Sequence, residues 1–357
     1  MTEYRSNITL AQTVERIESA RHIAVTTHAK PDGDAYGSAA ALVASLRKHM
    51  PLAKVEGWLM GPVPACFKKL HGWAGLNEFQ EGDSIGEPDL IIIVDTGAWA
   101  QVAPMRSLIE PRVDQTLIID HHISGGIPAK HMFINSGAAA CASVIADLLD
   151  VLAQFDPTRS RRLSDQNPFF VDPAVTESLF AGIASDTGWF RFSNTTAQTH
   201  LLAARLIQAG VNQAELYAKL EQAERPEKLA LQIRAMESLK LLADGRVAVM
   251  ILRENDFEET GALAEETERF VDIPQAVETV RMVVLITEPP GDGSAKRPAI
   301  RVSFRSKPTP DAVNVAQFAQ QFGGGGHARA SGAKIDAPLD QVIAQIEEAI
   351  AQAMVEA

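Results

Sequence analysis

The sequence predicts an α/β fold with a second, smaller α+β domain, and three observations carry that prediction. Continuous Ile/Val/Leu runs recur between helical segments, and such runs are those of parallel strands covered on both faces. Each run ends on an acidic or imidazole side chain, so these groups are delivered to the same end of the sheet. From Arg246 onward the helical patterns give way to strand patterns, which marks a change of domain. The length of 357 residues suits about two domains, each able to bury its own core.

Composition narrows the class. Hydrophobic residues make up 46% and charged residues 22%, as in an ordinary globular protein. The 33 basic residues against 45 acidic ones give a net charge of −12, which argues against a long polyanion as the main partner. Short nucleotides remain admissible where bound cations and a few arginines supply positive charge. Cys66 and Cys141 lie far apart and form no CxxC pair, so both are expected to be reduced in a cytoplasmic protein, without a structural zinc. The first residues show no apolar signal region, and no apolar run approaches the ~18 residues of a membrane span.

Taken in order, residues 8–20 read as a helix with Asn7 as its cap. Ile23-Ala24-Val25-Thr26-Thr27 reads as a buried strand, and 35–49 as the helix that follows it. Residues 54–60 are a second strand and 61–88 a Pro/Gly-rich connection. The run from Asp89 ends at Val94-Asp95-Thr96-Gly97, and the run from Gln115 ends at Asp120-His121-His122. A helix over 140–152, a polar loop over 153–172 and an apolar helix over 174–184 lead to Ser185-Asp186. Residues 197–240 are helix-rich with breaks near Gly210 and Pro226, and the domain linker is placed there. Strands follow at 247–252, 282–286 and 300–305, with a flexible hairpin loop at 289–298. Gly323-Gly324-Gly325-Gly326-His327, a short strand and an amphipathic helix from Leu339 close the chain.

The stretch Thr27-His28-Ala29-Lys30-Pro31-Asp32-Gly33-Asp34 packs an imidazole and two carboxylates into one strand-to-helix turn, fixed by Pro31 and Gly33. With it, His28, Asp32, Asp34, Asp95, Asp120, His121, His122 and Asp186 gather at sheet ends. Taken singly, the acidic residues read as turns and caps and the histidines as structural. Together, four or five carboxylates in one cleft need cations to offset their repulsion. Imidazole and carboxylate donors without thiolate suit Mn²⁺, Fe²⁺, Zn²⁺ or Mg²⁺, and the carboxylate-rich mixture leans to Mn²⁺. The set is large enough for two ions sharing one aspartate, an arrangement that activates water for phosphoryl displacement.

His28-x3-Asp32-x-Asp34, Asp95, Asp120-His121-His122 and Asp186, followed by Gly323-Gly324-Gly325-Gly326-His327, resemble the DHH/DHHA1 phosphoesterase superfamily in content and order. The resemblance spans residues 20–340 and looks most like the bacterial oligoribonuclease group, which also dephosphorylates 3′-phosphoadenosine 5′-phosphate. RecJ-type exonucleases share the motifs but generally carry an additional nucleic-acid-binding module, for which the chain leaves no room. The resemblance implies a DHH catalytic domain over 1–222, a helical linker about 197–240 and a DHHA1 substrate domain over 241–357, with the active site in the cleft between them. It implies two divalent ions, Mn²⁺ above Mg²⁺, Fe²⁺ or Zn²⁺. It implies ligands His28 and Asp32 on one ion, Asp34, His121 and Asp186 on the other, and Asp95 as the bridge. Asp120 is then an orienting group for an imidazole, and His122 faces the scissile phosphate as donor or proton shuttle.

In the second domain, strand alternation puts Ile300, Val302 and Phe304 on one face and Arg301, Ser303 and Arg305 on the other, an anion platform. The glycine run lacks the Lys-Ser/Thr of a P-loop, which excludes the triphosphatase reading, yet lets backbone amides approach an anion. In the family, the Arg305-Ser306 pair and Gly324, Gly325, Gly326 and His327 grip the nucleotide end remote from the metals. Tyr36 and Cys141 depart from the residues common in the family, at positions that shape the pocket rather than bind metal. The expectation is a cytoplasmic hydrolase that releases mononucleotides from very short oligoribonucleotides and acts on small phosphonucleotides. Neither long nucleic acid nor membrane is expected as a partner, and a homodimer is admissible. Two rivals stand beside it. One is the same chemistry on linear di-adenylate and related cyclic-dinucleotide products; the other is a non-catalytic nucleotide-binding regulator, which has no need of a complete ligand set.

Overall fold

The computed structural model describes residues 4–154, 167–291, 297–309 and 311–355. Of the loops expected at 153–172 and 289–298, residues 155–166 and 292–296 lie outside the described residues. The chain divides into two compact units, Met1–Ala223 and Glu224–Ala357.

In the first unit the order is α1 (Leu10–Glu18), β1 (His22–Thr26), α2 (Gly33–His49), β2 (Lys54–Met60), β3 (Leu76–Phe79), β4 (Leu90–Val94) and α3 (Arg106–Ile109). There follow β5 (Thr116–Asp120), β6 (His131–Ile134), α4 (Cys141–Leu152), α5 (Pro173–Asp186), α6 (Ala197–Gln208) and α7 (Gln213–Glu221). The cap of α1 is Thr9 rather than Asn7. Thr9 Oγ1 accepts from Gln12 N, and Gln12 returns a bond to the Thr9 N–H, the reciprocal box that a Thr-x-x-Gln spacing makes. Asn7 instead bonds to residues 130 and 132.

All six strands are parallel, in the order β3-β2-β1-β4-β5-β6. Connections run outward in opposite directions from β1 and β4, and the crevice at their carboxyl ends is where such sheets bind ligands. The inner strands β1, β4 and β5 are buried on both faces, which is why their sequences are near-continuously apolar. Ile23, Val25, Ile92, Val94, Leu117 and Ile119 face the core shared with α2, α4 and α5. Ala24, Ile91, Ile93 and Ile118 face the other side, with Val102, Met105 and Ile109. Each fully buried Ile or Leu contributes about 2 kcal/mol.

Helices α2 and α5 pack backbone to backbone. A Cβ at Gly37 would stand 2.2 Å from the Ser178 carbonyl oxygen, so only glycine allows the approach. That contact fixes where the start of α2 lies against α5. The segment read as plain connection, 61–88, holds the edge strand β3, and β6 closes the other edge. Both are only four residues long; β3 carries Asn77 and Glu78, and β6 is half-buried throughout, so neither presents the longer apolar run that marks the inner strands.

The second unit runs α8 (Pro226–Glu237), β7 (Lys240–Leu242), β8 (Val247–Leu252), α9 (Glu254–Thr260), β9 (Met282–Thr287), β10 (Ile300–Ser306), α10 (Val315–Gln320), β11 (Gly325–His327), β12 (Ala330–Ile335) and α11 (Leu339–Val355). Its sheet has the order β11-β12-β10-β9-β8-β7, antiparallel except between β8 and β9. One face packs Val302, Phe304 and Val284 against α10 and α11. The other buries Met250, Leu252 and Leu285 under α8 and α9. The helices between 197 and 240 are therefore shared out, α6 and α7 in the first unit and α8 in the second. Among the described residues no helix is long and apolar enough to cross a membrane.

Candidate metal centre

The carboxyl ends of β1, β4 and β5 and the last residue of α5 bring His28, Asp32, Asp34, Asp95, Asp120, His121, His122 and Asp186 together. Their ligand atoms form three overlapping sets, each within 4.8 Å: His28–Asp32–Asp95, Asp34–His121–Asp186, and Asp95–Asp120–His121–His122. His28 Nε2 lies 3.8 Å from Asp32 Oδ1 and 3.6 Å from Asp95 Oδ2. His121 Nε2 lies 3.8 Å from Asp34 Oδ2, 3.3 Å from Asp95 Oδ1 and 3.2 Å from Asp186 Oδ2. One oxygen of Asp95 thus faces each histidine.

Local structure explains these positions. Asp32 is the N-cap of α2, its Oδ1 accepting from Asp34 N and Ala35 N at 3.0 Å each. Asp95 ends β4 at φ +62, a left-handed conformation that an aspartate tolerates at a cost on the order of 1 kcal/mol. Asp34 is wholly buried and accepts from the first amides of α4, Cys141 N at 2.5 Å and Ala142 N at 2.8 Å. Those unpaired amides at a helix start suit an anion. Asp120 Oδ1 accepts from His121 N at 2.7 Å and His122 Nδ1 at 2.8 Å, while Tyr4 Oη donates to Oδ2 at 2.5 Å.

The electrostatics match a site that takes cations. Burial, then the Asp95 charge, pushes Asp186 up to about 7, and burial with Asp95 and Asp186 raises Asp34. Burial opposes a charge on His28 and His121, yet bonds to the carboxylates outweigh it and hold both at about 10. His122 is raised by its bond to Asp120. Without metal, protons offset the carboxylate charge. Asp95 Oδ1 is buried and makes no hydrogen bond of good geometry, although His121 Nε2 stands nearby. An oxygen left in that state costs about 1–3 kcal/mol, which a coordinated cation removes. The donor set of carboxylates and imidazoles fits divalent ions of the Mn²⁺ or Mg²⁺ kind.

The remaining candidate residues lie in the second unit. Arg301 is exposed and Ser303 and Arg305 are half-buried on the same face of β10, opposite the apolar face of Val302 and Phe304. Arg305 Nε stands 3.3 Å from Asp272 Oδ1, and its Nη1 donates to Phe304 O. Ser306 falls on the apolar side by the same alternation, buried, with Oγ donating to Ala328 O. Gly324 N donates to Ala319 O, whereas Gly325, Gly326 and His327 form the exposed edge strand β11 rather than a loop.

Sequence reasoning missed Tyr4, which is separated from Asp120 by 116 residues. It also missed the use of α4's first amides on Asp34. Tyr36 is buried and stacks on Phe67 at 4.9 Å, so it fills the core. The Cys141 thiol is likewise buried and donates to Ile119 O.

Residues 22–183 match the model of the DHH family N-terminal domain, and residues 244–356 match that of the DHHA1 domain. The chain belongs to the DHH/DHHA1 phosphoesterase family. Among curated relatives, this DHH-family chain is 26% identical over 323 residues to the bifunctional oligoribonuclease and PAP phosphatase NrnA of Bacillus subtilis, covering 90% of this chain and 92% of that one. It is 27% identical over 351 residues to the protein of the same name from Thermus thermophilus, covering 98% and 94%. A solved structure, an exopolyphosphatase-related protein from Bacteroides fragilis, has the same fold, with a TM-score of 0.83, 20% identity and coverage of 97% and 96%.

Proposed function

We propose that this chain is a metal-dependent phosphodiesterase that hydrolyses very short oligoribonucleotides to mononucleotides and also removes the 3′-phosphate of 3′-phosphoadenosine 5′-phosphate. The observation that carries the reading is Asp95, whose two oxygens face His28 and His121 of separate ligand sets. His28 and Asp32 would hold one divalent ion, Asp34, His121 and Asp186 a second, with Asp95 shared and Mn²⁺ the preferred metal. Bound divalent ions supply Lewis acidity and lower the pKa of water.

The chain's own groups do the rest. His122 is half-exposed, and its Nδ1 is engaged by Asp120 at 2.8 Å, so Nε2 is the nitrogen left to give a proton to the leaving oxygen. Asp120 accepts from Nδ1–H and favours the charged ring, so His122 gives its Nε2 proton as the imidazolium and is left with the proton on Nδ1. Arg301, Ser303 and Arg305, with the glycine strand and His327, take the phosphate or nucleoside end remote from the metals, arginine's fork matching phosphate. The names of the relatives support the same substrate class.

The test is Mn²⁺-dependent turnover of a diribonucleotide, a pentaribonucleotide, 3′-phosphoadenosine 5′-phosphate and linear di-adenylate, side by side. The reading predicts mononucleotide release, fastest from the diribonucleotide, and phosphate release from the phosphoadenosine. Preference for linear di-adenylate alone would move the protein to cyclic-dinucleotide turnover. Nucleotide binding without any hydrolysis would make it a regulator.

A further inference from the structure

The segment ahead of α1 reaches the centre from the edge of the sheet. Ser6 Oγ accepts from Ile134 N at 2.7 Å, Asn7 N donates to Met132 O at 2.9 Å, and Asn7 Oδ1 accepts from Met132 N at 2.8 Å. Those partners belong to β6, an edge strand whose outer backbone groups no other strand pairs. This tether delivers Tyr4, whose Oη donates to Asp120 Oδ2 at 2.5 Å.

Two glycines make room for its ring. A Cβ at Gly97 would lie 2.2 Å from Tyr4 Oη, and one at Gly125 would lie 2.3 Å from Tyr4 Cε2. Neither glycine adopts a positive φ, so the ring rather than the backbone is what requires them. Gly97 follows Asp95 by two residues and Gly125 follows His122 by three, so a phenol is seated between the two loops that carry the centre. Asp120 is wholly buried, and its Oδ1 already accepts from His121 N, His122 N and His122 Nδ1. Those three donors hold Oδ1, and the phenol gives the second, equally buried oxygen its donor, so the carboxylate is fixed at both ends.

We propose that Tyr4 is a positioning residue for hydrolysis: its hydroxyl pins Asp120 Oδ2, so that Oδ1 holds the His122 ring with Nε2 turned toward the substrate. The inference rests on the reading that His122 serves the leaving group. The Tyr4 hydroxyl bonds Asp120, which belongs to neither of the two histidine-centred sets proposed to hold metal, so its loss is expected to leave metal binding intact. Outer partners of this kind change activity by about 10- to 100-fold.

The test uses the full chain loaded with Mn²⁺ and the diribonucleotide. Tyr4→Phe is expected to lower kcat by about 10-fold with KM within twofold, an unchanged melting temperature and unchanged Mn²⁺ stoichiometry. Gly125→Ala, which keeps the phenol but displaces the ring, should reproduce the loss, and the double variant should be no worse than either single one. In the metal-free protein, the downfield Nδ1–H resonance of His122, assigned by its absence in His122→Asn, should broaden in Tyr4→Phe. An unchanged kcat with that resonance intact would overturn the proposal, as would a loss expressed only in KM or in melting temperature. If the unaltered protein bound Mn²⁺ but did not turn over the diribonucleotide, the functional reading would fall instead, and the resonance would still decide whether Tyr4 orients His122.

Discussion

Replacing Asp95 by Asn keeps the side chain's shape and removes its charge, and the geometry sets how much should be lost. The two Asp95 oxygens stand 3.6 Å from His28 Nε2 and 3.3 Å from His121 Nε2, so the change weakens both ligand sets at once. An ion present at 100 times its Kd stabilises the folded protein by about 2.7 kcal/mol, and two ions by about 5 kcal/mol. For a unit of this size, Met1–Ala223, each kcal/mol raises the melting temperature by about 2–4 °C, so saturating Mn²⁺ should raise it by about 10–20 °C. If the lost anionic ligand weakens each site about 100-fold, the same Mn²⁺ concentration yields only about 0.4 kcal/mol per ion. The rise should then shrink to about 2–3 °C. Asp32→Asn, which touches one set alone, should keep roughly half. The assay is thermal unfolding of chelator-treated protein across a Mn²⁺ titration, with bound metal counted by calorimetry. A wild-type rise in Asp95→Asn, with two ions still bound, would refute the sharing of this carboxylate.

Other perturbations test separate links. Arg305→Ala should raise KM for the diribonucleotide about 10-fold while kcat holds, because the guanidinium lies on the polar face of β10 and is not one of the proposed metal ligands; an unchanged KM in steady-state kinetics would remove the anion platform. Gly37→Ala puts a methyl 2.2 Å from the Ser178 carbonyl oxygen, backbone against backbone, and should cost about 2 kcal/mol or about 4–8 °C in thermal unfolding. An unshifted melting temperature would show that α2 and α5 are not locked at this contact. The metal-free protein should lose stability as pH rises. Asp186, raised from 3.8 to about 7, favours the fold while protonated and loses that contribution as pH climbs through 7. His28 and His121, raised from 6.5 to about 10, favour it while charged and lose theirs as pH climbs through 10. Melting temperatures in chelator that rise between pH 7 and 10 would contradict the sign, and Mn²⁺, which replaces those protons, should flatten the slope.

Much of this architecture was legible in the chain because burial on both faces writes itself into a strand as a continuous apolar run. The runs before Asp95 and Asp120 have that form, and β4 and β5 lie side by side inside the sheet. The edge strands β3 and β6 were not legible, since four residues are too few to show a strand pattern and β3 has the polar composition of a connection. The convergence of His28, Asp95 and His121 followed from one rule: parallel strands deliver their carboxyl ends to one side; Asp186 joins them from the end of α5, where that rule is silent. What a linear pattern does not encode is a partner that arrives from far away in sequence. The bond from Tyr4 to Asp120 and the amides of Cys141 and Ala142 on Asp34 are of that kind. Only glycines placed just after the ligand-bearing residues, Gly97 and Gly125, hinted that something was to pack there. The glycine run 323–326, read as a loop whose amides approach an anion, in fact pairs Gly325 with Gly332 across an antiparallel edge.

The most direct measurement is a Mn²⁺ titration of chelator-treated protein that follows diribonucleotide hydrolysis and bound metal together. The account predicts no turnover before metal is added, mononucleotide product that rises with occupancy, and a plateau at two ions per chain. Turnover that persists in chelator, or a fully loaded protein that leaves the dinucleotide intact, would contradict it.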